Sequence, residues 1–258
     1  MNSSSTPPAD AAAAALGAEA RQILARAAAA GLRLRLTGSL AVQLRCPAFG
    51  PLAQAGRSFH DIDFVAYKRE GRALRELLAG VGYAEDREVA VVSEGGRAIF
   101  RHGESRTHVD VFFDRLDFCH VIPLEGRIEV DPDTLPLAEL LLGKLQIVKI
   151  NEKDLLDAMA LLLEHDLGED DRAIDSARIA RLLAEDWGLW RTVTMNLAKL
   201  ARFAEAHSAL DGAARAGFLA RTRALESRLE AEPKPLAWRL RAKLGDRVKW
   251  YKDVEEVG

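Results

Sequence analysis

Apolar positions alternate with polar ones in some stretches of the chain and recur every three or four residues in others, and the two periods sort it into strands and helices. From Ala11 to about Ala30 an alanine-rich run with Leu16, Ile23 and Leu24 predicts a helix, which Gly31 ends. Leu32, Leu34 and Leu36 alternate with arginines, as a strand would. Gly38-Ser39 follows, then a short helical run, LAVQLR, stopped at Cys46-Pro47. Residues 47–57 are rich in Pro, Gly and small side chains and read as a loop. HDIDFVAY is a strand, GRALRELLAGVGY a short amphipathic helix, and REVAVV, RAIF, HVDVFF and RIEV are further strands. Beyond Pro136 the helical period takes over. Helices are expected at about 137–150, 152–165, 171–186, 188–207, 209–231 and 236–256.

This order predicts a Ser/Pro-rich tail over 1–10, an α+β domain over 11–135 and an all-α domain over 136–258. Composition adds little to that outline. Hydrophobic residues make up 48% of the 258 and charged residues 29%, which suits a globular protein. The net charge of −3 gives no overall basic field to draw in nucleic acid, so such a partner would need a local patch. Two cysteines far apart exclude a disulfide framework or zinc-finger spacing and suit a reducing cytoplasm. No apolar run is long enough to span a membrane, and no signal peptide is read at the N-terminus.

The chemistry concentrates in a few acidic residues. Asp61 and Asp63 stand two apart on a predicted strand and therefore project from one face. Two such carboxylates repel unless a cation lies between them. Hard oxygen donors suit magnesium, which is commonly held by one or two carboxylates together with substrate phosphates. Asp110, between Val109 and Val111 on a later strand, can supply a third. Three carboxylates can hold two metal ions. Gly38-Ser39, at a strand-to-helix junction, offers close backbone approach and a helix N-terminus for a phosphate. Lys144 lies on the apolar stripe of its helix, in line with Leu137, Leu141 and Val148, so it either snorkels or meets an anion. Asp154 reads equally as part of a helix cap after Asn151, and Asp157 as a partner of Lys153 one turn away. His108 shares a face with Asp110. The His60-Asp61 pair opens a strand, not the helix that a histidine-aspartate phosphohydrolase needs, and Gly143-Lys144 sits inside a helix, not in a phosphate loop.

LTGSLAVQL, HDIDFVAY and THVDVFF, taken in that order, resemble the polymerase-β-type nucleotidyltransferase superfamily over roughly residues 30–165. In one respect the chain departs from the pattern: 21 residues separate Ser39 from Asp61, more than the family usually has. LLLGKLQIVKINEKDLLDAMALL is similar to the helical motif of the abortive-infection toxin and aminoglycoside nucleotidyltransferase branches. The resemblance implies a small twisted mixed sheet flanked by helices, two Mg2+ ions (or Mn2+), a nucleoside triphosphate as co-substrate, and an acceptor hydroxyl on RNA, a small molecule or a protein. It implies Asp61, Asp63 and Asp110 as catalytic metal ligands, and Gly38, Ser39, Arg57, Lys144, Lys153, Asp154 and Asp157 as the nucleotide site. The alternatives are a non-catalytic nucleotide- or RNA-binding module of the same fold, and an interaction partner of the toxin-antitoxin type. The stretch from Lys234 to Lys252 carries seven Lys/Arg and one acidic residue beside Trp238, Trp250 and Tyr251. It reads as an amphipathic helix packed by its tryptophans, with nucleic-acid binding as the alternative.

Overall fold

The computed structural model describes residues 9–49, 61–86, 88, 94–103 and 107–253. Mixed α+β structure results, 55% helix and 16% strand, with the strands gathered early in the chain and the helices late. The chain divides into two compact units.

The first unit is built on a five-stranded mixed sheet. Its strands are β1 (Leu34–Leu36), β2 (Asp61–Ala66), β3 (Tyr83–Asp86), β4 (Arg97–His102) and β5 (His108–Phe113), in the order β1-β2-β5-β4-β3. β2 and β5 run parallel at the centre, and every other pairing is antiparallel. Both central strands are rich in Ile, Val and Phe, as strands covered on both faces tend to be. Ile62, Phe64, Val65, Val109 and Val111 are all fully buried. α1 (Ala9–Ala29) and α3 (Gly71–Ala79) flank the sheet, and α2 (Gly38–Arg45) leaves the end of β1. α3 buries Leu74 and Leu78 on one stripe and leaves its arginines on the other.

The second unit is mainly helical. α4 (Leu137–Leu145), α5 (Glu152–Glu164), α6 (Ser176–Glu185), α7 (Trp187–Ala206), α8 (Gly212–Ala231) and α9 (Leu236–Leu244) follow one another. Asn151, Asp175, Asp186 and Asp211 each accept a backbone N–H at a helix start, which explains the sharp beginnings of α5 to α8.

Several expectations need correction. RIEV is not a strand. Gly126 adopts a positive φ of 69°, and Arg127 N–H bonds back to Leu124 O, so the chain turns there and buries Ile128 instead. Two short strands, β6 (Arg115–Asp117) and β7 (Val121–Pro123), pair just before it. Tyr83, expected to end the helix GRALRELLAGVGY, instead opens the edge strand β3. The region beyond Pro136 is not purely helical, because β8 (Leu167–Gly168) and β9 (Ile174–Asp175) pair in parallel. The last helix stops at Leu244, where Gly245 takes a φ of 56°. The expected strand REVAVV, apart from Glu88, falls outside the described residues, as do Arg57 and His60. Among the described residues no helix is long and apolar enough to cross a membrane.

Phe64 is fully buried in a central strand, so Phe64→Ala leaves a cavity that the closed sheet can collapse only in part. A loss of about 3–5 kcal/mol in urea unfolding is expected.

Candidate active site

Register builds the carboxylate face. In the parallel β2–β5 ladder Asp63 lies opposite Asp110, and Asp61 lies opposite His108. Because side chains alternate along a strand, all four project from the same face. Asp61 is exposed, Asp63 half-buried and Asp110 buried, so the face runs from solvent into the protein along the strands. His108 Nε2 sits 3.2 Å from Asp61 Oδ1.

The most buried carboxylate already has a cation. Arg97, on β4, donates from Nε to Asp110 Oδ1 at 2.9 Å and to Oδ2 at 3.1 Å, and Nη2 also donates to Oδ2. This is a two-pronged guanidinium–carboxylate pair of the kind that Arg forms and Lys cannot. The hydrogen bond to Asp110 does most to raise the Arg97 pKa; burial opposes it, and Asp110, Asp63 and Asp61 add their negative charge. The guanidinium stands where a bound cation would otherwise answer the charge of Asp110. Among the described residues, no group of three or more His, Cys, Asp or Glu is arranged to hold a metal ion. The donor set and the register suit a hard divalent cation, but full use of Asp110 requires Arg97 to yield an oxygen.

Nothing in the sequence alone singles out Arg97. RAIF was recognised as a strand, but nothing local says that it pairs with β5. Once Ile99 pairs with Asp110, Arg97 is the diagonal neighbour of Asp110 on the same face. The signal is the small sequence separation between RAIF and HVDVFF, which makes an antiparallel neighbour the simplest connection.

Gly38 and Ser39 are the first residues of α2. Gly38 has a φ of 66°, and a Cβ placed there would lie 2.0 Å from Asp63 Oδ2. The glycine is therefore required by the carboxylate as well as by the backbone. Thr37 N–H bonds to Asp63 O at 2.8 Å, which ties the junction to β2. Ser39 is half-buried at the helix start.

The helical unit holds a second charged cluster. Lys144 Nζ lies 2.9 Å from Asp157 Oδ2 and 3.1 Å from Asp154 Oδ1. Burial alone would lower the pKa of this lysine, but Asp157 and Asp154 outweigh it and hold it above the ordinary lysine range. The lysine on the apolar stripe thus meets an anion, supplied by α5. Asp157 bonds to Lys144, and the alternative pairing with Lys153 is not formed, because Asp157 lies on the buried face of α5 while Lys153 is exposed. Asp154 both pairs with Lys144 and bonds through its N–H to the cap Asn151. A further ion pair, Arg178 Nε to Glu139 Oε1 at 3.2 Å, is sunk beside α4.

No family model matches the chain, and no curated protein is significantly similar to it.

Two outcomes follow from this geometry. Gly38→Ala forces a left-handed φ on alanine and pushes Asp63 aside. A destabilisation of about 1–3 kcal/mol is expected by thermal melting. Lys144→Met strands the buried Asp157, so a loss of about 3–5 kcal/mol is expected in denaturant unfolding. Adding Asp157→Asn to it should restore part of that loss, since the uncompensated charge is gone. Because the folded-state pKa is raised, the stability that Lys144 lends is complete below about 10.5, the unfolded-chain value, and disappears only as pH rises beyond it.

Proposed function

We propose that the protein is a metal-dependent nucleotidyltransferase that joins a nucleoside monophosphate to an acceptor hydroxyl and releases pyrophosphate. The observation that carries this reading is the in-register pairing of Asp63 with Asp110 across the parallel central strands, with Asp61 on the same face. Aspartate is disfavoured in strands, and three on one face demand a cation. The order strand, Gly-Ser, helix, Asp-x-Asp strand, later Asp strand supports the same reading, as in polymerase-β-type enzymes.

In this reading Asp61, Asp63 and Asp110 hold the divalent ions, magnesium or manganese. Bound there, the metal supplies charge neutralisation at the triphosphate and a more acidic acceptor oxygen. The chain's own groups do the rest. The backbone N–H groups opening α2, with Ser39, receive phosphate oxygens. Asp110 accepts the acceptor's proton as its oxygen bonds to the α-phosphorus and the bond to pyrophosphate breaks. Arg97 holds Asp110 aimed at the shared face through its paired hydrogen bonds. Catalysis rests on positioning and charge neutralisation, without a covalent protein intermediate. RNA ends, small molecules and protein hydroxyls all fit as acceptors.

The Arg97–Asp110 pair favours one other reading. It neutralises the buried carboxylate with no metal, as a non-catalytic nucleotide- or RNA-binding module of this fold would need. Activity separates the two. With α-labelled nucleoside triphosphates, magnesium and a cell extract, the enzyme reading expects label in RNA, protein or a small molecule. It also expects Asp61→Asn with Asp63→Asn to abolish labelling while the fold persists. Wild-type labelling by the double variant would overturn it. Arg97→Gln should tighten Mn2+ binding in calorimetry by about tenfold or more, because a competing cation has gone. In a pure binding module neither protein takes up the metal.

A further inference from the structure

α9 is a helix with two faces already assigned and a third left over. Its inner face is anchored. Trp238 Nε1 donates to Leu183 O at 3.0 Å and its ring meets Trp190 edge-on, while the Arg241 guanidinium lies 4.3 Å over the Trp187 ring. Trp250 is fixed in the same way, through Nε1 to Thr192 Oγ1 at 3.1 Å. The tryptophans are therefore structural, and the helix is not free to roll.

On the outer side Leu236, Leu240 and Leu244 stand four residues apart, 63%, 51% and 49% exposed. Leucines at that spacing form a continuous stripe. The other large apolar side chains exposed among the described residues are Leu44, Val121, Val130 and Val248, which make no such row. Arg239 and Lys243, also four apart on α9, run beside the leucines and are exposed. Neither has a carboxylate partner among the described residues. Nearby cations do: Arg191 pairs with Asp246, Lys249 with Asp253, and Lys252 with Asp117.

We propose that this face of α9 docks an acidic amphipathic helix of another protein, which lays its own apolar row on Leu236, Leu240 and Leu244 and glutamates or aspartates on Arg239 and Lys243. The charge pattern selects this occupant. An apolar stripe offers nothing to a phosphate backbone, which argues against RNA. At a membrane surface, aromatic side chains and cations on both flanks are expected. Here the tryptophans turn inward and the cation row lies on one flank only. A second copy pairing through α9 would bring two cation-edged faces together with no carboxylate between them. A helix laid in this way is a recurrent recognition mode, with anchors at i, i+4 and i+8. The proposal is independent of the carboxylate site.

The test uses the full chain and a labelled helical peptide of about 20 residues, with leucines on one stripe and glutamates on the adjoining one. Binding is read by fluorescence anisotropy, in parallel with phosphatidylcholine–phosphatidylserine vesicles and a single-stranded RNA oligomer. A Kd of roughly 10 µM is expected for the peptide, weakened at least about tenfold by Arg239→Glu with Lys243→Glu, and by Leu240→Ser. A peptide with lysine in place of glutamate should bind the charge-reversed protein better than the wild type. These residues are exposed, so circular-dichroism melts should be unchanged and a folding defect can be set aside. No peptide binding below about 1 mM overturns the proposal. So does peptide binding that ignores all three substitutions, or stronger binding to vesicles or RNA that the charge reversal abolishes.

Discussion

Parallel pairing of β2 with β5 is the contact on which the candidate site depends. It joins two strands far apart in the chain and fixes which side chains share a face. One residue of slip would turn Asp110 to the opposite face and bring Val109 or Val111 beside Asp63. The apolar neighbours prevent that slip. Ile62, Phe64, Val109 and Val111 are fully buried on the other side, and exposing them would cost far more than any carboxylate arrangement could return. The hydrophobic core thus sets the register, and the register assembles the charges.

The most buried of those charges is then balanced locally. Asp110 takes both prongs of Arg97. The helical unit solves the same problem with the opposite excess: a buried lysine is held between two aspartates of the next helix. In both cases an ionised group in a poorly solvated place is tolerated because its partner arrives at hydrogen-bonding distance. Gly38 shows how narrow the geometry is, since even a methyl group would collide with the Asp63 carboxylate.

α9 contrasts with this economy. Its inward Trp238 is hydrogen-bonded and meets Trp190 edge-on, yet its outer leucines and cations are left to solvent. A stripe of exposed leucines has a cost in solubility, and large exposed apolar patches commonly mark interaction sites.

Much of this was legible in the residues themselves. The alternation in LRLRL, DIDFVA and HVDVFF gave strands, and the three-to-four spacing beyond Pro136 gave helices, because period reports burial on one face. Asp61, Asp63 and Asp110 could be picked out because aspartate is out of place in a strand. Short-range signals misled where a tertiary contact decided. RIEV alternates like a strand but finds no sheet edge, and turns to bury Ile128. Gly245 ended the last helix early through its backbone conformation. The partner of Lys144 proved to be Asp157 on another helix, and the partner of Asp110 proved to be Arg97, 13 residues upstream. Pairing order is not written in any single segment. It follows from which buried faces can be closed together, so the sequence by itself determined the elements and the carboxylates, and only the tertiary structure decided that Arg97 answers Asp110 and Lys144 answers Asp157.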